Sequence, residues 1–536
     1  MGNTKRSRRS TSAETCFVTK VRLAALANAR GGAYRCGQPD AILWIVSNVD
    51  QGERSPSHRL ADLLQTAGCR YRVDTKVGRS LHGRLEDEAP FTPLYQTLEV
   101  AMSSALPRNP LEVFPATPAT REAVRKASIF GWWDFPMHDV GVDGAEFNDN
   151  DTAYWHFTSG NPVTRTTREV SDAIFKDCSA LTLPAEFKAQ QFVTLGAAGD
   201  LIQAEGLQQS KDALFEGIED VLFNSDLAFA NYESVVVDSQ TAKQFAVDGS
   251  SFIMCCDEAQ YEALTTHKGR RFDILNVANN HSLDLGGGAL SATQALLDRD
   301  GIISIGAPRN AGDYGKGTIV SRHGIRLGFV SVTFSLNDMP LPEDEPYRVH
   351  RSKLMSRFVP TDLELLRKQI EDCRRQGCDF IVASIHWGVE FEFFPRMRQV
   401  EAAHALIEDG VDLILGHHPH VIQPVEYYRT KRDPDRVAVI AYSMGSLTWG
   451  WYTAPHLILS LVMNFNIVKG SVKGSTKTYI KSVEIIPAFR DISLEERKRL
   501  MRIEKLSERL QVREDDPDIA TMRRYVELTM GGTCWT

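Results

Sequence analysis

Five short apolar runs, each the length of a buried strand, end in residues able to bind a metal or move a proton. This repeat constrains the fold more than any other feature. The clearest case is Val411-Asp412-Leu413-Ile414-Leu415, which opens into Gly416-His417-His418-Pro419-His420-Val421. Three histidines in four positions, on the turn leaving a buried strand, put imidazoles at a sheet's carboxyl edge, where open α/β sheets hold ligands. Asp200 follows a run that starts at Phe192, and Asn231 and Glu233 close the run 227–231. Asn279, Asn280 and His281 close 272–278, and His386 closes 379–385. Helical patterns lie between the runs, so strand, loop and helix alternate, which predicts a layered α/β sheet with right-handed crossovers.

Carboxylates, an amide oxygen and imidazoles together suit Mn, Zn or Fe. Calcium wants oxygen alone, and structural zinc usually recruits thiolates. No cysteine sits in these motifs. A divalent ion lowers the pKa of a bound water and polarises a phosphoryl or carbonyl oxygen, so metal-assisted hydrolysis is the reaction class these residues favour. Taken singly, each also has a structural use. Asp200 could cap a turn, Asn231 and Glu233 could form a solvated strand end, and His281 and His386 could be hydrogen-bonded interior histidines. Their common placement at strand ends argues for one site.

A chain of 536 residues exceeds one ordinary core. The pattern divides it into a basic, disordered tail over 1–37, an N-terminal α/β domain of unassigned role over 38–187, the motif-bearing α/β domain over 188–490, and C-terminal helices over 491–536. In the first domain strands are expected over 41–49 and 71–77, with helices over 57–66, 94–105 and 120–127. The aromatic, acidic stretch 131–157 has no period and reads as an irregular loop packed by its rings. Further on, the pattern predicts a helix over 211–223, a capping box of Thr361 and Glu364, antiparallel strands over 458–465 and 479–486, and helices over 493–510 and 519–528.

Hydrophobic residues make up 43%, charged residues 24%, and the net charge is -8, which describes a soluble globular chain with no bias toward nucleic acid. Nine cysteines without a Cys-x-x-Cys suit reduced thiols and a cytoplasmic address. The basic N-terminus is broken by Lys20 and Arg22 before it forms a signal-type apolar segment, and no window reaches the roughly 18 apolar residues of a membrane span.

In order along the chain, Gly199-Asp200, Asn231-Tyr232-Glu233, ANNHSLDLG at 278–286, HWGVEF at 386–391 with Pro395 and Gln399, GHHPHV at 416–421 and YSMG at 442–445 resemble the CapA-like (PGA_cap) capsule-synthesis family. The resemblance covers about residues 192–459. It implies a calcineurin-like metallophosphoesterase-type layered α/β sandwich, preceded here by a second α/β domain, and a part in poly-γ-glutamate or related polymer metabolism. Carried over residue by residue, it makes Asp200, Glu233 (with Asn231), Asn280, His386, His418 and His420 metal ligands. It makes His281 the general acid, groups Asp200 and His386 with it as catalytic, and leaves His417 in an outer position. Two departures stand out. The usual Asp-x-His of the first motif reads Asp200-Leu201-Ile202, and Asn-x-Glu replaces the second-motif Asp, which points to one ion rather than two. The family's YSLGNF-like segment reads YSMGSL, with Ser446 in place of Asn.

The expectation is a divalent-metal hydrolase site acting on a peptide, a polyglutamate-like polymer or a phosphoester. Two rivals stay open. Asp200, His281 and His386 could work without metal as acid and base on a peptide α-carbon, in the manner of an epimerase. Alternatively, the protein could be a non-catalytic accessory or polymer-binding protein.

Overall fold

The computed structural model describes residues 16–23, 41–48, 71–75 and 106–531, apart from 115, 177–178, 246–251, 496–497 and 514. The chain separates into two units, 1–103 and 104–536. In the first, Cys16–Leu23 is the middle strand of a three-stranded antiparallel sheet, between Ala41–Asn48 and Tyr71–Thr75. The sequence places that middle strand in a disordered tail. Its Val-Thr-Lys-Val-Arg-Leu alternation, useless for a signal segment, is the period-two pattern of a strand. The helices expected over 57–66 and 94–105 lie outside the described residues.

The larger unit begins near residue 104 rather than 188, so the helices Pro118–Phe130, Asp149–Gly160 and Arg168–Phe175 belong to it. Asp149–Gly160 lies where the pattern suggests a loop. Asn148 caps it by accepting the N–H groups of Asn150 and Asp151, and Asp151 accepts the N–H of Asn148 in return. The helix buries Ala153, Tyr154, His156, Phe157, Thr158 and Ser159 all round its circumference, so no apolar stripe marks it.

Two sheets face each other. One runs Ile303–Ile305, Ile274–Asn276, Leu227–Tyr232, Lys188–Leu201, Leu459–Val472, Ser475–Glu495, Lys498–Lys505, with Ser446–Thr448 pairing onto Lys188–Leu201. The other runs Thr318–Arg322, Ile325–Thr333, Phe380–His386, Leu413–His417, Val437–Ala441, Val425–Arg429. Val193, Leu195, Leu227, Phe229 and Ile274 of the first meet Leu327, Phe329, Phe380, Val382, Leu413 and Leu415 of the second in one core. The intervening residues point outward. Ala228, Ala230 and Leu275 pack with helix residues Tyr261, Leu264, Leu290 and Leu297, and Ile381, Ala383, Ile385 and Ile414 pack with Leu366, Ile370, Ala403 and Leu406. The result is helix, sheet, sheet, helix: the layered α/β sandwich implied by the resemblance.

Local details differ from the pattern. In place of a helix over 211–223 there are two short 3-10 turns, Leu207–Ser210 and Glu216–Ile218, separated at Asp212 with φ 65°. The Thr361–Glu364 capping box does not form. The helix starts at Glu364, whose N–H is taken by Asp362, while Thr361 Oγ1 donates to the Leu354 carbonyl. Over 493–510 the described residues are strand as far as Glu495 and again over Lys498–Lys505, and the helix begins only at Leu506, running Leu506–Val512. Among the described residues no helix is long and apolar enough to cross a membrane.

Two buried histidines make the fold acid-sensitive. His350 Nε2 accepts the Gly315 N–H at 3.1 Å, and His456 Nε2 donates to the Ser159 carbonyl at 2.8 Å. Burial pushes both imidazoles down to about 4. In the unfolded chain they ionise near about 6.5, so their contribution is whole above that pH and is lost as pH falls toward 4, by about 3 kcal/mol each. The urea midpoint is expected to fall steadily across that window and to fall less in His350→Gln. A flat profile would contradict the assignment.

Candidate metal centre

Side-chain alternation carries the inner core into a polar site. Leu227 and Phe229 face the opposite sheet, and Asn231 follows on the same face. Ile274 likewise precedes Asn276, Phe329 precedes Ser331, Val382 precedes Ser384 and His386, and Leu415 precedes His417. The layer between the sheets therefore changes from hydrocarbon to polar groups at the strands' carboxyl ends. Register keeps them level, with Asn231 opposite both Asp200 and Asn276, and His386 opposite Thr333 and His417.

All the sequence-predicted residues meet there. Asp200 Oδ1 accepts from Asn231 Nδ2 at 2.9 Å and lies 3.1 Å from His417 Nδ1, while its Oδ2 is 3.5 Å from His420 Nδ1. Glu233 Oε2 takes a second hydrogen bond from Asn231 Nδ2 at 3.2 Å. Its Oε1 faces His386 Nε2 at 3.7 Å, His281 Nε2 at 3.9 Å and His420 Nε2 at 4.0 Å. His386 Nε2 is 2.8 Å from Asn280 Oδ1. Asn231 is thus a bridge between carboxylates, its Oδ1 accepting from Asn276 Nδ2 at 2.8 Å. Asn276 in turn accepts from Ser331 Oγ of the second sheet at 2.6 Å.

Among the candidate ligand atoms, two triads share Glu233: Glu233 with His386 and His418, and Asp200 with Glu233 and His420. Within each, the atoms lie within 4.8 Å of one another, and Glu233 belongs to both. Asp200 Oδ2, Glu233 Oε1, His417 Nε2 and His418 Nδ1 are buried with no hydrogen-bond partner. Buried polar atoms are ordinarily satisfied, so four unsatisfied in one cluster fit a site built for a cation. The loop carrying the histidines is strained toward it, with left-handed φ of 98° at His418 and 57° at His420. Backbone bonds pin the loop, Trp387 N–H to the His417 carbonyl at 3.0 Å and Phe391 N–H to that of Pro419 at 2.8 Å.

The electrostatics suit the same use. Burial works to raise the Asp200 carboxyl, but hydrogen bonds from His417 and His420 overrule it and hold it far below the carboxylate range. Burial, then the neighbouring Asp200, Glu390 and Asp284, pushes Glu233 well up. Burial also drives His386 and His418 well down, which keeps them as neutral imidazoles with lone pairs to offer.

Four contributors escaped the sequence reading. Asp284 Oδ2 is 2.7 Å from His281 Nδ1 and orients that ring. Glu390 Oε1 is 3.9 Å from His418 Nε2, and its Oε2 accepts the Trp155 indole N–H. Asp284 and Glu390 lie inside the quoted motifs ANNHSLDLG and HWGVEF. Nothing local marks Trp155. Trp449 stacks on His420 at 4.5 Å between ring centroids and lines a cleft of about 680 Å³, with Phe114, Gln203, Lys243 and Tyr452 on its other walls.

Residues 194–449 match the model of the bacterial capsule synthesis protein PGA_cap. This segment belongs to the PGA_cap family. The PGA biosynthesis protein CapA of Bacillus subtilis is 28% identical over 250 residues, 46% of this chain and 59% of that protein. The capsule biosynthesis protein CapA of Bacillus anthracis is 24% identical over 278 residues, 50% of this chain and 63% of that one. A probable polyglutamine synthesis accessory protein of Mycobacterium tuberculosis is 31% identical over 162 residues, 30% of this chain and 42% of that protein. The chain thus spans less than two thirds of the length of each. The PGA_cap segment holds every candidate ligand, whereas the helix carrying Trp155 lies before it.

Proposed function

We propose that the PGA_cap segment is a metal-supported hydrolase of the phosphoesterase type, serving poly-γ-glutamate or a related capsule-type polymer. The observation that carries this reading is the pair of ligand triads sharing Glu233, set among unpartnered buried atoms at the strand ends. Asp200, Glu233, Asn280, His386, His418 and His420 would hold Mn, Zn or Fe. When bound, such an ion polarises a phosphoryl or carbonyl oxygen and makes water more acidic.

The chain's own groups supply the rest. Asn231 keeps the two carboxylates apart and oriented, and His417 steadies Asp200. His281 stands at the rim with Nε2 toward the cluster and Nδ1 on Asp284, placed to give a proton to a departing oxygen or nitrogen. The cleft beside Trp449 offers room for the part of the substrate that does not react. Asp284→Asn is expected to lower kcat by about 10- to 100-fold with metal content unchanged, because the His281 ring loses the carboxylate that orients it; equal losses of metal and rate would place Asp284 with the ligands.

The test assays a phosphodiester and a γ-glutamyl peptide with added Mn and after exhaustive chelation. Turnover that needs metal supports the proposal. Turnover that survives chelation favours acid–base use of Asp200, His281 and His386, and polymer binding without turnover favours an accessory role.

A further inference from the structure

We infer that Glu390 is a metal ligand on the open side of the cluster, taking the place of the imidazole that the first motif lacks, and that Trp155 aims it. The inference rests on the reading that the cluster binds a divalent ion. The residue two positions after Asp200 is Ile202, buried in the inter-sheet core, its N–H bonded to Thr448 Oγ1 at 2.9 Å, so it offers no donor. The Asp200, Glu233 and His420 triad therefore has a place to fill.

Glu390 stands beside His420 of that triad. Ligand atoms of Glu390, His418 and His420 lie within 4.8 Å of one another, a third grouping that shares one histidine with each of the other two. His418, though buried, has an unpartnered Nδ1, and Glu233 Oε1 and Asp200 Oδ2 are unpartnered as well. Charge points the same way. Asp200 and Glu233 are the only carboxylates in the first two triads, and a buried dication held otherwise by neutral imidazoles is stabilised by a further anion. Glu390 is one-fifth exposed, where a ligand on the solvent side belongs.

The aim comes from outside the PGA_cap segment. An indole N–H only donates, so Trp155 fixes one carboxylate oxygen of Glu390 and leaves the other facing His418. Trp155 is itself wedged edge-on against Phe114, with centroids 5.5 Å apart. Its neighbour Tyr154 donates to Glu392 Oε1 at 2.5 Å, and Arg396 pairs with the same carboxylate at 2.6 Å. The helix Asp149–Gly160 thus grips the 390–392 turn at two acids.

Titration of metal-stripped full-length protein with Mn, followed by calorimetry, tests this directly. Glu390→Gln is expected to weaken one Mn equivalent at least about tenfold, and Trp155→Phe to weaken the same equivalent by a smaller factor, with unfolding midpoints unchanged. Wild-type affinity in Glu390→Gln overturns the ligand assignment; if the pH–rate profile then loses its basic-group limb, Glu390 is a proton acceptor instead. Unchanged binding in Trp155→Phe overturns the aiming role. Wild-type protein that takes up none of Mn, Zn or Fe overturns this inference and the proposed function together, whereas metal uptake indifferent to Glu390 overturns the inference alone.

Discussion

Protein carrying both His418→Ala and His420→Ala is expected to retain no divalent metal after purification and to show no metal-dependent turnover. The two imidazoles divide between the triads, His418 with Glu233 and His386, His420 with Asp200 and Glu233. Removing both leaves each triad with two members and one shared carboxylate. Each ligand lost from a site commonly costs one to two decades of affinity or more, so an ion held by either triad should bind about 10- to 100-fold more weakly or beyond, and one held by both about 10²- to 10⁴-fold. The fold should survive, because both side chains sit at the strand-end rim and the loop is held at His417 and Pro419 by backbone bonds to Trp387 and Phe391. Elemental analysis beside the wild type reads the outcome. Equal metal content in the two proteins would mean that any metal lies elsewhere.

The second large effect falls on the scaffold. Gly199→Ala is expected to destabilise the protein by at least about 4 kcal/mol, lowering the thermal midpoint by about 10 °C, and to abolish metal uptake. Gly199 lies where Lys188–Leu201 passes Ser446–Thr448, and a Cβ there would stand 1.9 Å from the Gly445 carbonyl oxygen. No rotamer relieves a clash with backbone, so the strands must part. The next residue, Asp200, bonds its own N–H to that same Gly445 carbonyl at 3.1 Å, so parting the strands also moves the ligand. Gly416 faces the same constraint, 2.0 Å from the Tyr442 carbonyl oxygen, and introduces the histidine loop. A midpoint within about 2 °C of wild type for Gly199→Ala, checked by scanning calorimetry, would show that this crossing is looser than the packing implies.

The site was legible in proportion to how local its physics is. A strand buried on both faces has to be a short apolar run, and a polar residue continuing its inner face has to emerge at the carboxyl end, so Asn231, His386 and His417 could be placed from the sequence, whereas Asp200 was legible only as a strand-end residue and reaches the inner face through a register shift after Ala197. His418 and His420 followed from their spacing in GHHPHV. Trp155 could not be found this way, because its partner Glu390 is 235 residues away and its helix is buried on every side, which erases periodicity. The C-terminal strand Lys498–Lys505 misled for another reason. Its Lys, Arg, Leu, Met and Glu are helix formers, and pairing with Ser475–Glu495, together with burial of Met501 and Ile503, overrides that preference. The boundary near 187 failed because the aromatic segment has a weak pattern of its own and packs instead through contacts such as Tyr154 with Glu392 and Asp143 with Ser335.

The most direct measurement is anomalous diffraction from crystals grown with Mn and recorded near its absorption edge. The account predicts density between the sheets, within coordination distance of Glu233, His386 and His418, with any second peak beside Asp200 and His420. Crystals that bind Mn only at surface carboxylates, with that space occupied by water, would contradict it.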